Sequence, residues 1–261
     1  MAATNLDNAT NDNPPVLPPA PLVASALSAP EEMALITPGH VDAGSFVSVP
    51  STPAVISQRF SRTSRVIDIV GATALLLFLL PFMLVLAVAT FLSTAASPIF
   101  AHTRVGRNGR PFGCYKFRTM YPDAEERLRD LLASDSRLRR EWEAEHKLRN
   151  DPRVTRLGRI MRVTSLDELP QLLNVIKGEM SLVGPRPIVT EELPRYGRYR
   201  TSYLALRPGL TGLWQVSGRS GTTYRRRVAT DHVYALNKCL TLDLRIIFAT
   251  IPAVLRQRGA C

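Results

Sequence analysis

The chain has 261 residues, a net charge of +11 and three cysteines, enough for one medium domain plus an anchor. The basic excess calls for an anionic partner such as lipid head groups or phosphorylated substrates, and nucleic acid is set aside because no binding motif accompanies the charge. Cys114, Cys239 and Cys261 are scattered, with no Cys-x-x-Cys pair, which excludes a disulfide framework and a zinc site and fits a reducing cytosol.

Residues 1–57 are rich in Pro, Ala, Ser and Thr without sustained periodicity. They bury too little apolar surface to offset their conformational entropy, and disorder is expected. Arg59 to Asp68 reads as an interfacial lead-in. The run from Ile69 to Leu92 carries no charged side chain and is long enough to cross a hydrocarbon core of about 30 Å. It is too long, and starts too far from Met1, for a cleaved signal peptide. Pro81 sits in the middle of the run and removes a backbone donor, and lipid offers the freed carbonyl no water. Two readings stand: a spanning helix with a mild kink, or a helix that bends at Leu80-Pro81 and returns to the side it entered. Basic residues flank both ends, Arg59, Arg62 and Arg65 before and Arg104, Arg107 and Arg110 after. A single span gathers them on one side, so the flanks favour the second reading.

From Ser97 to Met120 the pattern is strand-like on both sides of Asn108-Gly109, a pair that favours a hairpin turn. Charged helices are expected over Ala124 to Leu132 and Leu138 to Leu148, facing solvent or the interface. Asp151-Pro152 ends them. A short helix follows over Arg156 to Arg162, and another from about Leu166 to Lys177, stopped by Gly178. Beyond lie loops with several prolines, a Trp214 segment, and a last amphipathic stretch from Asp243 to Arg256, interrupted by Pro252, whose apolar residues suit a membrane surface.

Ser165-Leu166-Asp167-Glu168 precedes Leu169, Leu172, Leu173 and Ile176. As local structure this is a capping box, with Ser165 and Glu168 satisfying helix-start amides and Asp167 complementing the helix dipole. As chemistry, the same carboxylates lie between Arg153, Arg156, Arg159 and Arg162 upstream and Gly184-Pro185-Arg186-Pro187 downstream. Arginines at a helix start suit phosphate, and carboxylates next to phosphate call for a hard cation such as Mg²⁺. That combination is suited to phosphoryl transfer, with one carboxylate available as nucleophile. His40, His102, His146 and His232 match no ligand spacing, and Gly106-Arg107-Asn108-Gly109 lacks the Lys-Ser/Thr ending of a phosphate loop. Arg225-Arg226-Arg227 reads as a solvated or lipid-facing surface, and Trp214 as core.

Several ordered blocks resemble the bacterial sugar transferase family, the monotopic polyprenyl-phosphate phosphoglycosyl transferases that start exopolysaccharide assembly. They are Lys116-Phe117-Arg118-Thr119-Met120, Ser165 to Val175, Lys177 to Pro187, Arg207-Pro208-Gly209-Leu210-Thr211-Gly212 and Trp214 to Arg219. The resemblance covers roughly residues 59 to 261. It implies transfer of a hexose-1-phosphate from a UDP-sugar, with galactose or glucose expected, to undecaprenyl phosphate with release of UMP. Asp167 falls on the family's nucleophile, and Glu168 on its Mg²⁺-associated partner. Lys116, Arg118, Arg162, Arg186, Arg207, Gln215 and Arg219 fall on expected substrate- or phosphate-binding positions.

The implied fold is a helix-rich α+β protein in three parts. Residues 1–57 form the tail, 58–96 a re-entrant membrane helix hairpin, and 97–261 a small catalytic domain with a short β-hairpin and amphipathic interfacial helices. The expected location is the bacterial inner membrane, in contact with anionic lipids, with the catalytic domain facing the cytoplasm. A homodimer is admitted. One position departs from the pattern: some members carry Ser before the membrane proline, where this chain has Leu80.

Overall fold

A computed structural model describes residues 62–145, 148, 150–217 and 223–255. The expected tail, the lead-in at Arg59, part of the turn after residue 145, Arg219 and Arg256 lie outside the described residues. Helix α1 spans Arg62–Thr94 with Pro81 inside it. Where the sequence led us to expect two halves separated by a break, the helix is assigned as continuous. Pro81 withholds only the donor that would meet the Leu77 carbonyl, and the side chains on either side continue one stripe. Its buried residues, Asp68, Ala72, Met83, Leu86, Thr90 and Thr94, recur at helical spacing on one face. Ala72 packs with Phe112, Cys114, Leu172 and Met180, whereas Met83 and Leu86 pack with Phe117 and Met161. Residues on both sides of Pro81 therefore rest on the same domain.

Polar contacts fix the start of α1. Arg65 donates to the carbonyls of Val175 (2.8 Å) and Ile176 (3.0 Å). The Asp68 carboxylate accepts from the Ser181 hydroxyl at 2.8 Å and from the Leu182 amide at 2.9 Å.

Strands β1 (Ile99–Val105) and β2 (Pro111–Phe117) form the expected antiparallel hairpin, in register from Ile99↔Phe117 to Val105↔Pro111. Asn108 (φ 58°) and Gly109 (φ 75°) take the left-handed conformations that this turn demands. Helices α2 (Ala124–Ser134) and α3 (Ser136–Glu145) follow, and α2 buries no residue. Helix α4 (Arg156–Thr164) is capped by Thr155, whose hydroxyl accepts from the Gly158 amide at 2.9 Å.

The next expected helix is divided. Leu166–Glu168 is a 3₁₀ turn, and α5 covers only Gln171–Lys177, ending at Gly178 (φ 87°). The capping box does not form: Ser165 is left-handed (φ 59°) and its side chain caps nothing. Pro170 explains the division, since it has no N–H to return to the Leu166 carbonyl; the Leu169 amide makes that bond in 3₁₀ fashion at 3.3 Å.

The Pro-rich remainder is more ordered than its composition suggests. β3 (Ser181–Val183) pairs in parallel with β4 (Gly209–Thr211). A 3₁₀ segment (Thr190–Tyr199) and α6 (Arg200–Ala205) lie between them in sequence. Gly184 and Gly209 permit the pairing: a β-carbon on Gly209 would lie 2.0 Å from the Gly184 nitrogen, and one on Gly184 would lie 2.4 Å from the Arg207 carbonyl oxygen. Helices α7 (Leu213–Ser217), α8 (Tyr224–Asn237) and α9 (Leu240–Leu255) complete the domain. Leu242 and Ile246 of α9 pack with Val183, Leu206, Leu213 and Tyr234, while its Leu240, Leu244, Phe248 and Ile251 are exposed. Among the described residues this is a helix-rich α+β fold with two small sheets and one long apolar helix.

Candidate active site

The hairpin and the 3₁₀ turn meet at one group of charges. Residues paired across antiparallel strands share a face. The partners Phe100↔Lys116, His102↔Cys114 and Arg104↔Phe112 therefore put Arg104, Phe112, Cys114 and Lys116 on one side. Phe112 and Cys114 are buried there, and Lys116 reaches the turn. Its ammonium lies 2.6 Å from Glu168 Oε1 and 3.6 Å from Asp167 Oδ2.

Asn174 sets this register. Fully buried on α5, its Oδ1 accepts from the Tyr115 amide at 3.0 Å, while its Nδ2 donates to the Gly113 carbonyl at 2.7 Å and to Glu179 at 2.6 Å. The helix that follows the carboxylates is thus bonded to the strand that carries the lysine.

The two carboxylates differ in environment. Burial pushes Asp167 above the ordinary carboxylate range; Lys116 and Arg162 oppose the shift, and the charge of Glu168 adds to it. Burial also acts on Glu168, but Lys116, Arg186 and Arg104 together outweigh it and hold that group below its ordinary range. Asp167 is accordingly the more basic of the two carboxylates, and Glu168 the ionised partner of Lys116. Beneath them Cys114 is no candidate nucleophile, since burial pushes its thiol up to about 11.

The basic frame consists of Arg104, Lys116, Arg162 and Arg186. Arg162 donates to the Thr119 hydroxyl at 2.9 Å. Arg104 lies 3.8 Å from Glu192, and Arg186 lies over the Trp214 ring, 6.0 Å from its centroid. Four cations around two carboxylates leave a positive surplus that suits a diphosphate.

Other expected site residues sit elsewhere. Arg118 donates to the Ser97 carbonyl at 2.8 Å and lies over Phe100. Arg207 donates to the Gly178 carbonyl at 2.8 Å, at the end of α5 remote from the carboxylates. Gln215 donates to the Leu210 carbonyl at 3.4 Å. Two useful residues were missed from sequence. Arg104 was legible by alternation along the hairpin from Lys116. Asn174 had no such signal, because a polar residue within an apolar run reads as exposed. Trp214 is buried as expected, but Arg227 is only partly a surface residue, since its guanidinium lies 4.6 Å from the Trp214 ring centroid.

No group of three or more His, Cys, Asp or Glu residues gathers among the described residues. Two adjacent carboxylates are the donor set that Mg²⁺ accepts when phosphate and water complete its shell, so the residues present fit that ion.

Fold and site define a small α+β domain, seated on a long apolar helix, in which Asp167, Glu168 and Lys116 form one charged group. The family model described as "Bacterial sugar transferase" matches residues 59–257, and the chain belongs to that family. It is 46% identical over 213 residues to the exopolysaccharide production protein ExoY of Rhizobium meliloti (strain 1021), covering 81% of this chain and 94% of that one. It is 49% identical over 206 residues to the undecaprenyl-phosphate galactose phosphotransferase of Salmonella typhimurium, and 48% over 204 residues to the UDP-galactose-lipid carrier transferase of Erwinia amylovora. The aligned region is 78% of this chain in each case, but only 43% and 42% of those two relatives, so the chain spans less than half their length.

Proposed function

We propose that this chain transfers a hexose-1-phosphate from UDP-galactose or UDP-glucose to undecaprenyl phosphate, the first membrane step of exopolysaccharide repeat-unit assembly. The names of its relatives support the substrate classes. The observation that carries the reading is the buried Asp167, raised above the ordinary carboxylate range beside an ionised Glu168–Lys116 pair. An Asp167 carboxylate oxygen attacks the β-phosphorus of the UDP-sugar, and the bond from that phosphorus to the bridging oxygen breaks, releasing UMP. A phosphate oxygen of undecaprenyl phosphate then attacks the same phosphorus, expelling the carboxylate and leaving a diphosphate-linked sugar. Lys116, Arg104, Arg162 and Arg186 hold the diphosphate and stabilise its charge. Glu168 keeps Lys116 in place and is the residue that would hold Mg²⁺. When bound, that ion neutralises the charge of the diphosphate.

The membrane placement is part of the same reading. The exposed face of α1 displays Val70, Leu77, Phe78, Leu84, Val85, Val88 and Leu92, and α9 displays Leu244, Phe248 and Ile251. Apolar patches of this kind suit a lipid surface. Residues before and after Pro81 both pack on the one domain, which supports the reading that α1 enters and leaves on the same, cytoplasmic, face. The testing experiment incubates purified full-length protein with undecaprenyl phosphate and a panel of UDP-sugars while following UMP. Asp167→Asn should fold normally and release no UMP above background, whereas near-normal turnover in that variant would remove Asp167 as nucleophile.

A further inference from the structure

A cavity of about 200 Å³ opens away from the carboxylates, at the start of α1, and its charged lining is Arg62, Arg65, Asp68, Arg107, Arg207 and Lys238. Arg65 and Arg207 are bonded to carbonyls at the C-terminal end of α5, whereas Glu168 precedes its N-terminal end. The length of α5, roughly 10 Å, separates the two places.

The charges lining the cavity do not balance. Asp68 is committed to Ser181 and the Leu182 amide, and Lys238 is paired with Asp243 at 3.0 Å. The bonds of Arg65 and Arg207 end on main-chain carbonyls, and among the described residues no carboxylate lies within ion-pair distance of either. Burial and the nearby Arg207 push the guanidinium groups of Arg65 and Arg107 downward, with Asp68 opposing the shift only at Arg65. Like charges held together with restricted access to water favour an anion between them. The volume is below the roughly 300 Å³ at which sites for drug-sized ligands begin, which suits a single phosphate group better than a nucleotide. Val66, Ile69 and Val70, exposed on the same turns of α1, put the cavity at head-group depth.

We propose that this cavity docks the phosphate of an anionic membrane glycerophospholipid, held by Arg65, Arg107 and Arg207 where α1 enters the lipid surface. The proposal rests on the membrane placement of α1 but not on the chemistry at Asp167. It gives the anchor an orientation, because one lipid phosphate bound beside α5 fixes the rotation of the domain about α1.

The test uses full-length protein in a non-ionic detergent, titrated with dihexanoyl phosphatidylglycerol, dihexanoyl phosphatidylcholine or inorganic phosphate at constant ionic strength. Thermal unfolding reads the binding. Phosphatidylglycerol should raise the unfolding temperature saturably. Arg62→Glu at the exposed rim and Arg65→Gln within should each weaken its apparent affinity at least tenfold, and Arg65→Lys should weaken it less than Arg65→Gln. Arg62→Glu should leave the lipid-free unfolding temperature unchanged, which guards against misfolding as the cause. Equal stabilisation by phosphatidylcholine, undiminished affinity in both charge-removing variants, or an equal effect of inorganic phosphate would each overturn the proposal. No bilayer is present, so the titration stands or falls separately from the placement of α1.

Discussion

Asn174→Ala is the most exacting test of how the site is assembled. The amide makes three hydrogen bonds, to the Tyr115 amide, the Gly113 carbonyl and Glu179, at a fully buried position. Each bond contributes about 1 kcal/mol net, and truncation leaves strand groups without partners, so a loss of about 3 kcal/mol is expected. For a domain of this size that corresponds to a fall of roughly 6–12 °C in unfolding temperature. Activity should fall further than stability does at a temperature where the variant is still folded, because β2 then loses its register against the turn carrying Asp167. Asn174→Asp tests the donor separately: it still accepts from Tyr115 but turns an oxygen toward the Gly113 carbonyl and Glu179. It should therefore be no more stable than the alanine variant at neutral pH and should recover part of the loss in acid. The assays are thermal unfolding in detergent and UMP release at a temperature well below the transition. An unfolding temperature within 2 °C of the parent, with unchanged turnover, would refute the claim that Asn174 sets the Lys116–Asp167 geometry.

Three further outcomes are expected. Exhaustive chelation with EDTA should abolish UMP release and added Mg²⁺ should restore it; full activity after chelation would remove the metal from the mechanism. Asp231, buried under the Tyr196 hydroxyl, is raised from its ordinary 3.8 to about 7 by burial, against the pull of Tyr196 and Arg227. It keeps a proton in the fold that the unfolded chain has already lost, so its contribution to stability should shrink as pH rises from about 4 through 7. Unfolding temperature measured from pH 5 to 8 should show this slope, and Asp231→Asn should remove that part of it. Finally, single cysteines at Ser61 and Thr103 in a cysteine-free background should both resist an impermeant thiol reagent in intact spheroplasts and react after lysis. Labelling of one site alone from outside would mean a span.

Features set by neighbouring residues were legible in the sequence; those set by distant pairing were not. Asn108-Gly109 announced the hairpin because few other pairs accept two left-handed residues in succession, and the short helix expected over Arg156 to Arg162 is α4. Asp167 and Glu168 were found as a pair because adjacency needs no fold. The capping box misled because Ser-x-x-Glu describes only the first turn of a helix, whereas Pro170 decides whether that helix continues. The β3–β4 pair was illegible: strands of three residues show no alternation, and the pairing depends on glycines at 184 and 209 meeting across a long connection. Helix α8 was hidden by its own arginines, since Arg225-Arg226-Arg227 reads as surface until Trp214 is placed next to Arg227.

The misread helix start also explains the site. Had Ser165 capped a continuous helix from Leu166, Asp167 would have stood in its first turn with its carboxylate answering the helix amides. Instead Ser165 turns left-handed and Pro170 confines the segment to a single 3₁₀ turn between α4 and α5. Asp167 is thereby buried, 8% exposed, and its carboxylate faces Lys116 rather than solvent. Burial makes it more basic than an exposed aspartate, and the short turn, tied at both ends to helices, limits how far it can move when a diphosphate approaches. An aspartate on a regular helix start would be better solvated and less basic. The residues that spoil the helix are the ones that bury this carboxylate against Lys116.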